Sequence, residues 1–221
     1  MSPKNNHKDS SGNDHNVKER LLDAAEKYFA DKGFDATTVR EITTYADSNL
    51  AAVNYYFGGK ENLYVEVFRR RLKQITKARK NRVRKAISVD KPTLKEILDE
   101  FANAFLKPFR DRETGERLMK MMINEITNPK LPKSMFVKEV AIPTIDIMSK
   151  ALRKIYPNLE DDEIFLITFS LAGQLLHVHR ITELHKSGDL DGFPVTDIDV
   201  LVDHIINFTI AGIKNVAKKV E

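Results

Sequence analysis

The sequence predicts an all-α protein of about nine helices, and three observations lead to that fold class. Apolar residues recur every three or four positions from about residue 16 to the end of the chain. No segment of five or more residues alternates apolar and polar side chains as a half-buried strand does. Nine glycines and eight prolines are too few for the many tight turns of an all-β protein. We expect a disordered tail over residues 1–15, a three-helix domain over 16–65 and a second helical domain over 66–221.

The composition excludes several classes of protein. The chain has no cysteine, which excludes disulfides, thiolate metal sites and cysteine nucleophiles and fits a reducing cytoplasm. Apolar residues make up 42% of the 221 residues, enough for a core. No uninterrupted run of about 18 apolar residues is present, so we expect no membrane span, and the amino terminus lacks the apolar stretch of a signal peptide. The net charge of +4 is a weak indication of an anionic partner.

The first helix is predicted between Asn16 and Gly33. Asn16 can cap it while Glu19, three residues later, reaches back to complete a capping box. Apolar residues then follow one face as far as Phe29. Gly33 ends the helix, because glycine readily takes the left-handed conformation of a C-terminal cap.

Two short helices are predicted next. Thr38 and Glu41 form a capping pair at the start of the second helix. A break at residues 47–48 separates it from the third helix, predicted over 49–57. Two glycines end that helix, and Lys60 begins a long fourth one.

Helical patterns continue beyond residue 86. Thr93 and Glu96 make another capping pair at the start of a helix, and a further helix is predicted over 113–127. Pro143 falls inside the next helical segment, about 133–155, and predicts a kink there.

The last two helices are the most apolar of the chain. One is predicted over 160–185, and the other begins at a cap formed by Thr196 and Asp199. Two such helices from each of two subunits can form a four-helix homodimer interface. The residues expected in it are Ile164, Ile167, Leu171, Leu175 and Val178, with Val202, Ile205, Phe208, Thr209, Gly212, Ile213 and Val216. Each set could equally be ordinary core.

The third helix has the pattern of the recognition helix of a helix-turn-helix. With Val53 directed inward and about 100° per residue, Phe57 lies about 40° from the inward direction and Tyr55 about 160° from it. The outward face should then carry Ala51, Ala52, Asn54 and Tyr55. Small residues at its start allow a close approach to base edges, and a tyrosine hydroxyl can reach phosphate oxygens. These residues favour a DNA-binding helix-turn-helix.

The stretch TTVREITTYADSNLAAVNYYFGGKENLY resembles the helix-turn-helix of the TetR family of bacterial transcription regulators, and NLAAVNYYFGGKE resembles its CecR-type subgroup. The resemblance covers about residues 16–65. It implies that Thr38 and Arg40 lie near the DNA backbone and groove edge, that Tyr55 and Tyr56 contact phosphates, and that Lys60 binds phosphate at a helix N-terminus. The DNA-binding candidates are Thr38, Arg40, Asn49, Leu50, Ala51, Ala52, Asn54, Tyr55, Tyr56 and Lys60.

Some positions depart from the family pattern. Asp47 stands where many members have glycine, and aspartate tolerates the left-handed turn expected there. Ala52 replaces a common threonine and Tyr56 a common histidine, which leaves fewer polar groups on the reading helix. Arg40 and Asn54 are therefore the candidates for base hydrogen bonds.

The resemblance also implies that the second domain holds a small apolar or amphipathic effector. Phenylalanine and methionine can line an adaptable apolar pocket, and a few polar groups can orient a ligand in it. The candidates are Phe101, Phe105, Met119, Met122, Glu125, His177 and Arg180. The same apolar stripes are also typical of core, and His177 could be a core histidine bonded to the backbone.

A basic run offers an alternative function. Between Arg69 and Lys85 lie ten lysines and arginines and no acidic residue. At ~1.5 Å per residue, Lys85 would lie roughly 35 Å along the helix from Lys60, too far to reach the same DNA face easily. We expect a solvated helix face and connector. The alternative is a helical protein-interaction module that uses this 69–85 face for an acidic partner without binding DNA.

The sequence carries no motif typical of an enzyme. It lacks HExxH, GxSxG and a glycine-rich phosphate loop, and we expect no metal and no cofactor. The residues and the resemblance together predict a ligand-responsive transcriptional repressor that binds a palindromic DNA operator as a homodimer in the cytoplasm. A helical enzyme acting on small molecules is the remaining alternative.

Overall fold

The computed structural model describes residues 10–110, 112–188 and 197–218. Over these residues the chain forms nine α-helices, one short π-helical segment and no strand, which confirms the all-α prediction. The helices are α1 (Ser10–Ala36), α2 (Val39–Tyr45), α3 (Ala51–Phe57), α4 (Lys60–Ala86), α5 (Leu94–Arg110), α6 (Arg112–Thr127), α7 (Ile142–Arg153), α8 (Asp161–Lys186) and α9 (Ile198–Ala217).

Helix α1 begins earlier than predicted. It starts at Ser10, so the expectation of a disordered tail is wrong for residues 10–15, while residues 1–9 lie outside the described part of the chain. A helix that has nucleated gains one hydrogen bond for each residue added, which allows a polar stretch without proline to extend it. At the other end, Gly33 has φ +77° and interrupts the helical backbone as predicted.

The turn chemistry around α2 and α3 follows the prediction closely. Thr38 Oγ1 accepts the Glu41 N–H at 3.2 Å, and the Glu41 carboxylate accepts the Thr38 N–H at 2.9 Å, which completes the capping box. Asp47 has φ +48°, the left-handed turn expected of it. Helix α3 starts at Ala51 rather than at 49, and Gly58 ends it with φ +75°.

The described residues divide into two compact units. The first contains the chain up to Arg71 together with Glu113–Lys133, and the second contains Leu72–Arg112 and the chain from Ser134 onward. Helix α6 therefore packs in the first unit, although the predicted boundary at residue 65 placed it in the second domain. The reason lies in Glu125, whose carboxylate accepts the Tyr64 hydroxyl at 2.9 Å.

Helices α5 and α7 to α9 build the core of the second unit. Thr93 and Glu96 form the predicted capping box at the start of α5, with the Thr93 N–H donating to the Glu96 carboxylate at 3.0 Å. A π-helical segment, Val137–Ala141, runs directly into α7 with helical backbone at the junction, so the regular helix is distorted immediately before Pro143, inside the helical segment where the kink is predicted. The core is lined by fully buried residues of four helices: Phe101, Met148, Leu152, Ile164, Leu171 and Ile213.

Helix α9 is capped one residue later than predicted. The Asp197 side chain accepts the Asp199 N–H at 2.8 Å, while Thr196 lies outside the described residues. By length and apolarity alone, Asp161–Thr182 and Ile198–Ala217 could cross a bilayer, so the absence of an unbroken apolar run did not exclude such a helix. Both helices, however, place one face in the core of the second unit, as core helices of other helical proteins do.

Candidate nucleic-acid interface

Arg20 of α1 stabilises the turn between α2 and α3 through two hydrogen bonds to its backbone. Its Nε donates to the Ala46 carbonyl at 2.9 Å and its guanidinium also donates to the Asp47 carbonyl at 3.2 Å. These hydrogen bonds satisfy two carbonyls just after α2, where no further N–H group of the helix is available to them. No local signal in the sequence points to this role, because Arg20 stands 26 residues before Ala46 in the chain.

Helix α3 presents its two faces as the wheel predicted. Val53 is 0% exposed and Phe57 is buried, whereas Tyr55 is 76% exposed. The exposed positions on and before the helix are Asn49, Leu50, Ala51, Asn54 and Tyr55. Ala52 is buried, so the prediction that it faces outward is wrong. It lies about 100° from Val53 on the flank of the helix, and a methyl group there lets α3 pack closely.

Helix α2 adds a charged edge to this surface. Thr38 and Arg40 are both exposed, and they share a surface hollow with Glu41, Thr44, Tyr45 and Tyr28. The Arg40 side chain makes no ion pair within the part of the chain that the structure describes. Its guanidinium is thus available to a ligand outside the chain.

The one acidic group in this hollow is neutralised by its neighbours. Lys32 pairs with the Glu41 carboxylate, which also accepts bonds from the Thr38 backbone and hydroxyl. The hydrogen bond from Lys32, followed by those from Thr38, lowers the pKa of Glu41 to about 2. Glu41 therefore remains ionised but compensated, which reduces its repulsion of a polyanion.

Tyrosine and lysine side chains border α3 at its end. The rings of Tyr55 and Tyr56 meet edge to face with centres 4.8 Å apart, and Tyr56 is half-buried. Lys60, at the N-terminus of α4, places its Nζ 4.3 Å from the centre of the Phe34 ring. The ring holds the ammonium near the helix terminus without neutralising it. Tyr45 at the end of α2 is also exposed and was missed by the sequence analysis.

The basic run of α4 is not a continuous solvated face. Arg70 and Arg71 converge on the buried carboxylate of Glu26, and Arg70 also pairs with Glu19 and Asp23. Further along the run, Arg69 pairs with Glu66, Arg82 pairs with Glu100 at 3.0 Å, and Arg79 is buried. Lys73, Lys77, Arg84 and Lys85 remain exposed, and the alternative function of the run stays a prediction.

The seven candidate ligand residues are divided between the two units. Met119, Met122 and Glu125 belong to the first, where the methionines are half-buried and Glu125 also accepts the backbone N–H groups of residues 130 and 131. Burial, and then the bond to Glu125, raises the pKa of Tyr64 far above its usual value. Glu125 thus has a structural role.

The other four candidates belong to the second unit. Phe101 and Phe105 are buried in its core with ring centres 6.0 Å apart. His177 and Arg180 are exposed on α8, so His177 is not the buried core histidine that the sequence left open, and the role of both residues in a ligand site stays a prediction. Neighbouring positions 175 and 178 occupy the inward face of that helix.

The exposed face of α8 and α9 is strongly apolar. Ile164, Leu171, Leu175 and Val178 are buried in the core, so the interface predicted from them lies on the wrong face of α8; Ile205, Thr209 and Ile213 are likewise buried on α9. Besides Val200 near the start of α9, the large apolar residues that remain exposed are Phe165, Leu166, Phe169, Leu176 and Phe208. We call these five residues the apolar face; Phe169 is 68% and Phe208 64% exposed.

Comparison with known proteins identifies related sequences for both parts of the chain. Residues 21–67 match the family described as bacterial regulatory proteins, tetR family, and residues 94–213 match the C-terminal domain of the HTH-type transcriptional dual regulator CecR. The CecR protein of Shigella flexneri is 49% identical over 49 residues, which cover 22% of this chain and 22% of that protein. The regulator QacR of Staphylococcus aureus is 36% identical over 52 residues, covering 24% and 28%. These matches span less than a third of each relative's length.

Solved structures share the fold over nearly the whole chain. A TetR family transcription regulator from Marinobacter aquaeolei has a TM-score of 0.64 at 15% identity, covering 89% of this chain and 97% of that one. SmeT, the repressor of the Stenotrophomonas maltophilia multidrug efflux pump SmeDEF, has a TM-score of 0.60 at 18% identity, covering 89% and 91%. At such low identity the likeness shows the fold alone.

Proposed function

Because the chain belongs to the TetR family of bacterial transcriptional regulators and carries the C-terminal domain of its CecR-type members, we propose that it is a ligand-responsive repressor. In this proposal it binds a palindromic operator as a homodimer, in the cytoplasm. The family consists of DNA-binding regulators and not of enzymes, which confirms the prediction that the chain is not an enzyme.

The arrangement of α3 is the observation that carries the proposal. In this seven-residue helix Val53 is fully buried, and Tyr55 is 76% exposed. The helix therefore presents one polar and aromatic face to the outside. Such a face fits the major groove, where Asn54 can bond a base edge and the Tyr55 hydroxyl can bond a phosphate. Arg40, exposed and unpaired, supports a further base contact from α2.

The apolar face supports the homodimer. A large exposed apolar patch on a helical protein marks an interface, because leaving it in water forfeits the free energy of burial. The face runs along both α8 and α9, and the backbone around Gly173 and Gly212 is open enough for a second helix to approach closely. Two subunits joined here would present two recognition helices to two half-sites.

The two units suggest how a ligand could control DNA binding. The recognition helix belongs to the first unit, the apolar core of α5 and α7 to α9 belongs to the second, and α4 contributes residues to both. A ligand that binds one of two dimer states more tightly shifts the population toward that state. We infer that effector binding in the second unit favours a state whose recognition helices no longer match successive major grooves.

Selection of bound fragments from a random duplex pool tests this function. The expected product is an inverted repeat whose half-sites are separated by about one helical turn or a multiple of it. Binding to that duplex should weaken steeply as salt rises, because each phosphate contact releases counterions. An unenriched pool would contradict the repressor and favour the interaction module that uses the 69–85 face.

A further inference from the structure

A buried arginine in the second unit has no partner. Arg79 of α4 is only 6% exposed, and its side chain makes no hydrogen bond or ion pair in the part of the chain that the structure describes. Its guanidinium carbon lies 4.1 Å from the centre of the Phe105 ring. A buried cation is costly unless an anion compensates it, and a ring face compensates it only in part.

Two threonine hydroxyls of the same unit are also buried without partners. A helical threonine commonly donates to the carbonyl four residues earlier, as Thr209 and Thr182 do here at 2.8 Å. Thr144 and Thr168 make no such bond, although both are buried. Each lies one turn from fully buried core residues on the inward face of α7 or α8.

The register of the helices places these three groups at one level of the unit. The Thr76 hydroxyl donates to the Glu139 carbonyl at 2.8 Å, and Lys154 Nζ donates to the Ile87 carbonyl at 2.6 Å. The chain over 139–154 therefore runs alongside α4 in the same direction, and interpolation brings Thr144 level with Arg79.

Helix α8 returns in the opposite direction. Arg153 pairs with Asp161 at 2.8 Å across the turn between α7 and α8, so Thr168 lies opposite residue 146. At ~1.5 Å per residue that is roughly 3 Å from the level of Thr144. These registers thus give the three unsatisfied polar groups similar heights along their helices.

We propose that Arg79 is the anion-recognition residue of the effector site, with Thr144 and Thr168 as additional hydrogen-bond donors. The effector class that fits is an apolar molecule bearing a carboxylate. Guanidinium and carboxylate form a strong, often bidentate pair. Phe105, which lies under the guanidinium, and Phe101 would contact the apolar body. This inference rests on the proposed function, since it names the ligand of a ligand-responsive regulator.

Direct binding of matched acids and amides tests the proposal. The probes are octanoate with octanamide and phenylbutyrate with phenylbutanamide, measured by calorimetry and by the shift in Tm of the full chain. We expect at least one acid to bind about 10- to 100-fold more tightly than its amide, which corresponds to a charge-assisted hydrogen bond. It should also raise the Tm, because only the folded state binds it.

Single substitutions show which side chains cause the preference for the acid. Arg79→Met should abolish the preference for the acid over its amide, while Arg84→Met, at an exposed arginine of the same helix, should retain that preference. Thr144→Val and Thr168→Val should each lower the affinity for the acid several-fold. These two variants provide a test even if Arg79→Met does not fold. Acids that bind no better than their amides, or not at all, would overturn the proposal, as would an unchanged preference in both Arg79→Met and the threonine variants.

Duplex binding of the ligand-free protein separates this inference from the proposed function. A chain that binds its selected duplex but does not prefer acids refutes only the effector class. A chain that prefers acids but selects no duplex refutes only the repressor.

Discussion

The arginines of α4 show how the surroundings of a single residue decide its role. Arg70 and Arg79 stand nine positions apart in the same basic run. Arg70 is surrounded by the carboxylates of Glu19, Asp23 and Glu26. Burial disfavours its charged form, but Asp23 and Glu26 outweigh that effect and raise its pKa. Arg79 has only an aromatic ring. Composition treats the two alike, because it records charge but not the partners that folding supplies.

Two substitutions distinguish positioning from sequence recognition. Tyr55→Phe should weaken binding to all duplexes alike, about 2- to 10-fold, because it removes a phosphate hydrogen bond. Arg40→Ala should instead relax the preference at one base pair, by about 1–3 kcal/mol. Affinities for the selected operator and its single-base variants measure both effects. The opposite pattern would exchange the roles assigned to the two residues.

The stability of the chain should depend on pH through Arg79. Burial lowers its pKa from the ordinary value of an arginine to about 10. Above about pH 10 the unfolded chain binds more protons than the folded one, so the folded state gains stability as pH rises from about 10 toward the ordinary pKa of arginine. Below pH 10, burying the charged guanidinium costs the folded state its full value of about 3 kcal/mol. The contact with the Phe105 ring offsets about 2 kcal/mol of this cost.

Replacing this arginine by an apolar residue should therefore stabilise the ligand-free protein. For Arg79→Met we expect a Tm at neutral pH about 2–4 °C higher, the effect of about 1 kcal/mol in a chain of this size. Thermal denaturation of the two proteins measures the difference. A lower Tm in the variant would show that the ring contact outweighs the cost of burying the charge.

At the scale of elements, short-range signals set where each helix begins and ends. The capping boxes at Thr38 and Thr93 and the left-handed residues Asp47 and Gly58 all appear where the sequence predicts them. The same signals say nothing about which face of a helix is buried. Helix α3 has one clear apolar stripe, so its orientation was predictable for every outward position except Ala52.

The capping box of α2 gives a prediction at this scale. Glu41→Gln keeps a side chain that can accept the Thr38 N–H but removes the charge. The pKa of Glu41 is about 2 in the folded chain and 4.5 in the reference state, so its stabilising effect is present above 4.5 and is lost as pH falls toward 2.

Unfolding measured across this pH range checks the prediction. The variant should lose less stability than the parent chain between pH 4.5 and 2. Thr38→Ala, which breaks the cap itself, should cost about 1 kcal/mol at neutral pH. Parallel acid profiles for parent and Glu41→Gln would show that the Lys32–Glu41 pair contributes nothing.

At the scale of the whole molecule, the exposed apolar area supports the proposed homodimer. The apolar face lies on helices whose opposite sides form the core of the second unit. This arrangement also explains why α8 and α9 have the length and apolarity of membrane-spanning helices. Helices apolar on all sides are expected wherever both faces are covered, one by the core and one by a partner.

A charged residue in the apolar face should separate the subunits. Phe169→Asp is expected to shift the protein from dimer to monomer in sedimentation and to weaken operator binding, because one recognition helix alone gives too few contacts. Val89→Asp, at an exposed valine outside that face, is the matched control and should leave both properties unchanged. A dimer that withstands Phe169→Asp would place the interface elsewhere.

The helical fold class, the caps and turns, and the orientation of α3 could be predicted from the sequence, because each depends on residues a few positions apart. Three features depend on tertiary packing instead: α6 packs with the first unit, the inward face of α8 carries Leu171 and leaves Phe169 outside, and Arg79 is buried without a partner. An apolar pattern spread around a whole helix selects no unique inward direction, and contacts between distant segments leave no periodic signal. The inward direction of such a helix and its long-range contacts are both set when complete helices pack against one another.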